Sequence, residues 1–152
     1  MARRLFDDTV VLQAAFVTPD IEKTKKWMAE FFGVDLPETS VTRPPAEAET
    51  EYLGGPSEAR AKLAFFPLGN LTIELIEPNE QPSCWRDFLK RRGPGFHHLA
   101  FKVKGMKAHI TSFEEDGYPL LQKGEFTRGR YAYLDTEPQL GALIELLEFD
   151  AA

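Results

Sequence analysis

The chain repeats itself, and repetition constrains an architecture before any single element does. Leu71–Glu77 reads LTIELIE and Leu143–Glu148 reads LIELLE, each with Ile-Glu-Leu, a further apolar residue and a glutamate. Upstream of each, Gln13–Phe16 reads QAAF and His98–Phe101 reads HLAF, and each of these runs into a helix-like stretch. Gln13 and His98 are 85 positions apart and Glu74 and Glu145 are 71, so the first copy carries 14 more residues. Their natural place is Arg43–Ala59, RPPAEAETEYLGGPSEA, whose proline, glycine and charge content reads as a long loop. A chain of 152 residues suits two such copies sharing one core.

Each copy reads as strand, helix and three strands. In the first, a strand is expected over Thr9–Val17, then a helix that Asp20 caps and Gly33 stops. Ile21, Met28 and Phe32, with Thr24 and Phe31, form its apolar stripe. Strands follow near Thr39–Arg43, Ala61–Phe66 and Leu71–Glu77. In the second, Phe96–Val103 is a strand and Met106–Asp116 a helix ended by Gly117. Strands follow near Pro119–Lys123, Arg130–Asp135 and Ala142–Phe149. A linker helix, Cys84–Arg92, is capped by Ser83 and stopped by Gly93. The expected organisation is one α+β domain, 1–152, of two tandem βαβββ modules, 9–78 and 95–149, joined by a linker over 79–94. Curved mixed sheets would then line a cleft.

Alternation along a strand places Glu74 on one face with Thr72 and Ile76, and Glu145 with Leu143 and Leu147. Gln13 stands between Val11 and Ala15, and His98 between Phe96 and Ala100. A carboxylate among apolar neighbours must protonate, find hydrogen bonds or hold a cation. Two glutamates, a histidine and a glutamine at repeat-equivalent positions therefore point to one divalent metal ion: zinc, nickel, cobalt, manganese or iron. In a regular strand His97 faces away from His98 as a packing or hydrogen-bonding residue, and His109 sits exposed on the second helix. An iron site of two histidines and one carboxylate would need one of these to turn inward.

Composition narrows the partners. Eighteen basic against 24 acidic residues give a net charge of −6, which disfavours non-specific nucleic-acid binding. Cys84 is the single cysteine and can form no intrachain disulfide. Apolar runs reach about four residues, against the roughly 20 that span a bilayer. The opening MARRLFDDTVV lacks the apolar core of a leader. A soluble cytoplasmic protein with no membrane or nucleic-acid partner is expected.

The linker helix running into GPGFHHLAFKV, with FFPLGNLTIELIEP and the closing GALIELLEF, resembles the vicinal oxygen chelate superfamily, the glyoxalase/bleomycin-resistance/dioxygenase group. Within it the likeness is to methylmalonyl-CoA epimerase-like and lactoylglutathione lyase-like proteins. The resemblance implies metal ligands at Gln13, Glu74, His98 and Glu145. In most epimerases the first of these is a histidine, and a glutamine there resembles the zinc-type glyoxalase I pattern. Some epimerases also carry a catalytic glutamate on the strand before the first-module ligand strand. Here that strand, AKLAFFP, offers Lys62, and Glu49, Glu51 and Glu58 lie in the preceding loop.

What the resemblance implies is a metal-dependent lyase or isomerase, an epimerase among the possibilities. It would remove a proton beside a metal-held carbonyl to give an enolate, with Glu145 or Glu74 as the base. The substrate would be a small carbonyl compound or acyl thioester, and the protein a homodimer. Tyr52, on a loop covering the pocket, and Arg130 and Tyr131, near its border, are candidate substrate contacts. Lys90, Arg91 and Arg92 would meet a CoA phosphate or simply finish a solvated helix. The alternative is a non-catalytic small-molecule binding protein of the resistance type.

Overall fold

Local signals set the ends of the elements. In the computed structural model, which describes residues 6–151, helix α1 (Ile21–Phe32) starts where the Asp20 carboxylate accepts a hydrogen bond from the Lys23 amide at 3.1 Å. It stops at Gly33, whose φ of 66° is left-handed and so suits a residue without a Cβ. Ser83 caps α3 (Cys84–Arg92) in the same way, accepting from the Arg86 amide at 2.9 Å. Residues 1–5 and 152, counted within the single domain and, at the amino end, read as lacking a leader, lie outside the described residues.

The first copy contains β1 (Val11–Val17), α1, β2 (Ser40–Val41), α2 (Pro45–Ala48), β3 (Glu51–Tyr52), β4 (Gly55–Pro56), β5 (Ala61–Leu68) and β6 (Leu71–Pro78). After α3, the second contains β7 (Gly95–Lys102), α4 (Met106–Glu115), β8 (Leu120–Phe126), β9 (Gly129–Leu134), α5 (Glu137–Leu140) and β10 (Leu143–Phe149). The strands form a single curled mixed sheet in the order β2-β5-β6-β1-β7-β10-β9-β8-β3-β4. In each copy the first strand runs parallel to the last, β1 with β6 and β7 with β10. The copies join where β1 and β7 pair antiparallel. The cleft is thus lined by one continuous sheet.

Alternation sorts the core into layers. Leu75 and Phe66 pack under α1 with Ile21 and Met28, while Leu146 and Leu134 pack under α4 with Met106 and Phe113. The opposite face carries the central cluster, where Ala15, Val17, Ile76 and Leu143 meet Trp85 and Phe88 of α3. Sheet residues two apart from these, on the same face, are the ones that look into the cleft.

Three features depart from the sequence reading. Arg43–Ala59 is more than a loop: β3 pairs with β8, so the insertion of the first copy extends the second copy's edge. On α1 the buried stripe is Ile21, Lys25, Met28 and Ala29, while Phe31 is 68% exposed and Phe32 46%. Lys25 is tolerated inside because its ammonium donates to Thr39 at 2.8 Å and pairs with Glu22 at 3.0 Å. Trp27 stacks on Phe31 outside, their ring centroids 4.8 Å apart. The third departure lies in the β1–β7 ladder, whose register slips twice. Val11 pairs with Phe101 but Gln13 with Ala100, and Ala15 pairs with His98 but Phe16 with Phe96. Each slip leaves one extra residue, Leu12 and His97, directly before a predicted ligand. Bulges of this kind re-aim side chains.

Candidate metal centre

Three buried side chains from three strands converge. Glu74 comes from β6, His98 from β7 and Glu145 from β10, and one ligand-capable atom of each lies within 4.8 Å of the others. Ala15 of β1 pairs with both Glu74 and His98, and His98 pairs with Leu143, so the registers alone bring these positions to one place. His98 Nε2 stands 3.2 Å from Glu145 Oε1 and 3.4 Å from Glu74 Oε1. Yet neither His98 Nε2 nor Glu74 Oε1 completes a hydrogen bond. Buried polar atoms in that state are costly and call for an explanation.

A divalent cation would satisfy them. Ligand atoms around zinc, each roughly 2.0–2.2 Å from the ion, stand about 3.0–3.5 Å from one another, and His98 Nε2 keeps that spacing to both carboxylates. Two carboxylates and a neutral imidazole also balance a 2+ charge, whereas two buried carboxylates alone repel. Burial raises the Glu74 carboxyl and nearby Glu145 raises it further, while the neighbouring His98 imidazole opposes this. Burial pulls His98 down, but the Glu145 charge and the approach of both carboxylates outweigh it and push the imidazole up to about 9. Without a cation, the site thus holds a proton where the cation would sit.

Glu74 and Glu145 stand in the wall of a cavity of about 400 Å³, a size suited to a small molecule. Gln13 lines it too, so three of the four repeat-equivalent residues stand in one cavity wall, and the fourth, His98, lies within 3.4 Å of Glu74 and 3.2 Å of Glu145. Most of the remaining wall is apolar, including Leu63, Ile76 and Leu147. Tyr131 lines it as well. Its hydroxyl accepts from Gln122 Nε2 at 3.0 Å, and burial raises its pKa. The ring lies so close over Gly124 that a Cβ there would sit 2.8 Å from it. Glycine in β8 therefore makes room for the tyrosine.

Tyr52 and Arg130 stand elsewhere. Tyr52 packs against the central core from β3 and does not line this cavity. Arg130 is one position out of phase with Tyr131 and is held by Glu125 at 3.3 Å, Glu148 at 3.1 Å and Asp150 at 2.6 Å. Arg91 and Arg92 are engaged by Glu137 at 2.8 and 3.2 Å, and neither lines the cavity. Lys62 pairs with Glu77 at 3.6 Å. Among Glu49, Glu51 and Glu58, none reaches the cavity. His109 is half-buried and pairs with Asp7 at 3.2 Å, rather than standing exposed.

Several residues of the site escaped the sequence reading. Tyr133 lines the cavity and accepts a hydrogen bond from Trp85 Nε1 at 3.0 Å. Its place two residues beyond Tyr131 was the available signal. Glu125 supplies a third carboxylate to the wall and Arg43 a cation. His97 is wholly buried, and its Nδ1 lies 2.8 Å from His98 Nδ1. The bulge, which period-two alternation cannot foresee, puts it there instead of on the opposite face.

Comparison with known proteins agrees with this geometry. The family model described as Glyoxalase/Bleomycin resistance protein/Dioxygenase superfamily matches residues 12–133. The uncharacterised protein YqjC of Bacillus subtilis (strain 168) is 29% identical over 96 residues, covering 60% of this chain and 67% of its own. Among solved structures, a hypothetical protein of Bacillus halodurans C-125 superimposes with a TM-score of 0.66 at 22% identity, covering 93% of this chain and 95% of that one. Methylmalonyl-CoA epimerase from Mycobacterium tuberculosis gives 0.66 at 23%, covering 100% and 93%. A variant of the Streptomyces coelicolor methylmalonyl-CoA epimerase, in complex with 2-nitronate-propionyl-CoA, gives 0.63 at 18%, covering 93% and 97%. At such identities the structural likeness establishes the fold.

Proposed function

The chain belongs to the glyoxalase/bleomycin resistance/dioxygenase superfamily, and from that premise we propose that it is a divalent-metal-dependent isomerase or lyase acting on a carbon beside a carbonyl. The observation that carries this reading is the Glu74–His98–Glu145 cluster. It is buried, its atoms are spaced for a metal, and two of them lack hydrogen-bond partners. Glu74, His98 and Glu145 would hold the ion, with Gln13 as a further ligand. When bound, the metal supplies Lewis-acid stabilisation of the negative charge that develops on the substrate oxygen.

The side chains divide the remaining work. Glu145, or its repeat counterpart Glu74, takes the proton from the carbon and returns it. A base must lie within about 3 Å of that proton, and these carboxylates already face the cavity. Tyr131 and Tyr133 each accept a hydrogen bond, from Gln122 and Trp85, which leaves each O–H proton to be donated to a substrate oxygen. The apolar wall excludes water. A cavity of about 400 Å³ takes a small carbonyl compound or the acyl end of a thioester. Arg91 and Arg92 of α3, already paired with Glu137, offer no ready phosphate site. The buried, unpaired thiol of Cys84 is compatible with a reducing cytoplasm.

Two measurements test the reading. Tag-free protein purified without added metal is analysed for transition metals beside Glu145→Ala. Near-stoichiometric metal in the parent and loss in the variant are expected. Metal-loaded protein is then screened for exchange of the proton beside the carbonyl with solvent deuterium, using 2-oxo thiohemiacetals and acyl-CoA epimers. Absence of metal after incubation with zinc, nickel, cobalt or manganese would overturn the metal-dependent reading and leave a small-molecule binding protein. Light scattering on the same sample tests the homodimer.

A further inference from the structure

We propose that His97 is a positioning residue. Its Nδ1 accepts the Nδ1–H of His98 and so fixes the tautomer that leaves His98 Nε2 free to face Glu74 and Glu145. This inference rests on the metal-site reading above and extends it to a residue behind the site.

The geometry leaves few choices. His97 Nδ1 and His98 Nδ1 are 2.8 Å apart, close enough that a single proton lies between them. If His97 owned that proton, neutral His98 would carry its own on Nε2, aimed at the two carboxylates and blocking a cation. If His98 owns it, Nε2 presents a lone pair to the same place. The contacts at Nε2 favour the second arrangement. Only in that arrangement can Nε2, 3.2 and 3.4 Å from the two carboxylate oxygens, exchange a proton for a cation without rearranging the proton between the two histidines.

The far side of His97 fits the same assignment. With Nδ1 accepting, the neutral His97 ring carries its proton on Nε2. That atom is buried without a completed hydrogen bond. Around the ring pack Phe88 of α3 and Tyr133 of β9, with centroids at 5.0 and 5.5 Å in T-shaped arrangements. An N–H is better tolerated against aromatic faces than a lone pair is. An otherwise poorly satisfied imidazole, placed by a bulge directly behind a candidate ligand, matches the outer partner that metal-ligating histidines generally have.

The test separates this inference from the metal-site reading. Long-range ¹H–¹⁵N correlation spectra of the metal-free protein report the tautomer directly. A proton on His97 Nε2 is expected, and a proton on His97 Nδ1 would overturn the proposal. Zinc affinity, read by competition with a chromophoric chelator, should fall about 10–100-fold in His97→Phe, which keeps a ring but removes the acceptor. His97→Asn returns an oxygen near the Nδ1 position and should recover most of the loss. Parental affinity in folded His97→Phe would reject the positioning role while leaving the metal site standing. Failure of the parent itself to bind zinc would overturn both, and failure of the variant to fold leaves the spectra to decide.

Discussion

The two copies carry the same device with different contents. In each, one strand of the β1–β7 ladder bulges directly before the candidate ligand, at Leu12–Gln13 in the first copy and at His97–His98 in the second. Leu12 and Gln13 are both half-buried, whereas His97 and His98 are wholly buried and joined at 2.8 Å. The first copy therefore offers a weak, neutral candidate ligand, an amide oxygen whose bulged neighbour Leu12 has no polar side-chain atom. The second offers a strong one with an oriented partner. A pseudo-symmetric site can divide its labour in this way, one side gripping the ion and the other leaving it open to substrate. The last strands differ less, since Glu74 and Glu145 are both buried and both face the cavity.

The largest effect is expected where that near-equivalence is broken. Glu145→Gln keeps an oxygen for the metal but loses the base, so kcat for proton exchange should fall about 10²–10⁴-fold with KM little changed. Glu74→Gln, assayed in parallel, is expected to lose less. If Glu145→Gln turns over normally and Glu74→Gln does not, the base belongs to the first copy instead.

Next comes the grip on the ion. His98→Ala removes the imidazole ligand and should cost more zinc affinity than the roughly 10–100-fold typical of losing an outer partner. Gln13→Ala should cost about tenfold or less. Equal losses in a chelator competition would remove the asymmetry between the copies.

The repeat made most of this architecture legible before any coordinate. Asp20, Gly33, Ser83 and Gly93 mark helix ends by local chemistry that needs no partner, and Ile-Glu-Leu marks the last strand of each copy. The four candidate ligands followed from their repeat-equivalent positions among largely apolar strand neighbours. What stayed hidden depends on contacts far along the chain. The two-residue strand Glu51–Tyr52 exists only because the β8 edge is there to receive it. Lys25 is buried because Thr39 and Glu22 satisfy its ammonium, which no helical wheel reports. His97 was hidden by the bulge itself, since one extra residue reverses the face of a side chain while leaving the sequence pattern intact.

The pH response should show the same asymmetry, because His98 titrates and Gln13 does not. His98 is pushed up to about 9 in the metal-free fold, above its unfolded value of about 6.5. Its stabilisation is full below about 6.5 and is lost as pH rises through about 9. Glu74, also raised, acts with the same sign in a more acidic range. His97 works the other way: burial lowers it and the nearby His98 adds to this, so below about 6.5 the unfolded chain takes up a proton that the fold refuses. Tm of the metal-free protein should therefore fall from about pH 6.5 to about 9, and saturating zinc, by displacing the His98 proton, should flatten that limb. A metal-free Tm that rises across the window would contradict the imidazole–carboxylate arrangement.

The smallest effect, and the one that bears most directly on the comparison, comes from rebuilding the first copy in the image of the second. Gln13→His places an imidazole at the position repeat-equivalent to His98, but its neighbour Leu12 has no side-chain nitrogen to fix the tautomer. Zinc affinity is expected to change by less than about tenfold, since an unoriented ligand must be ordered at its own entropic cost. Adding Leu12→His supplies the missing neighbour at the bulge. The double variant should then bind more tightly than Gln13→His alone. If the two bind equally, a bulged neighbour gives no orientation in the first copy, and the difference between the copies lies in burial alone.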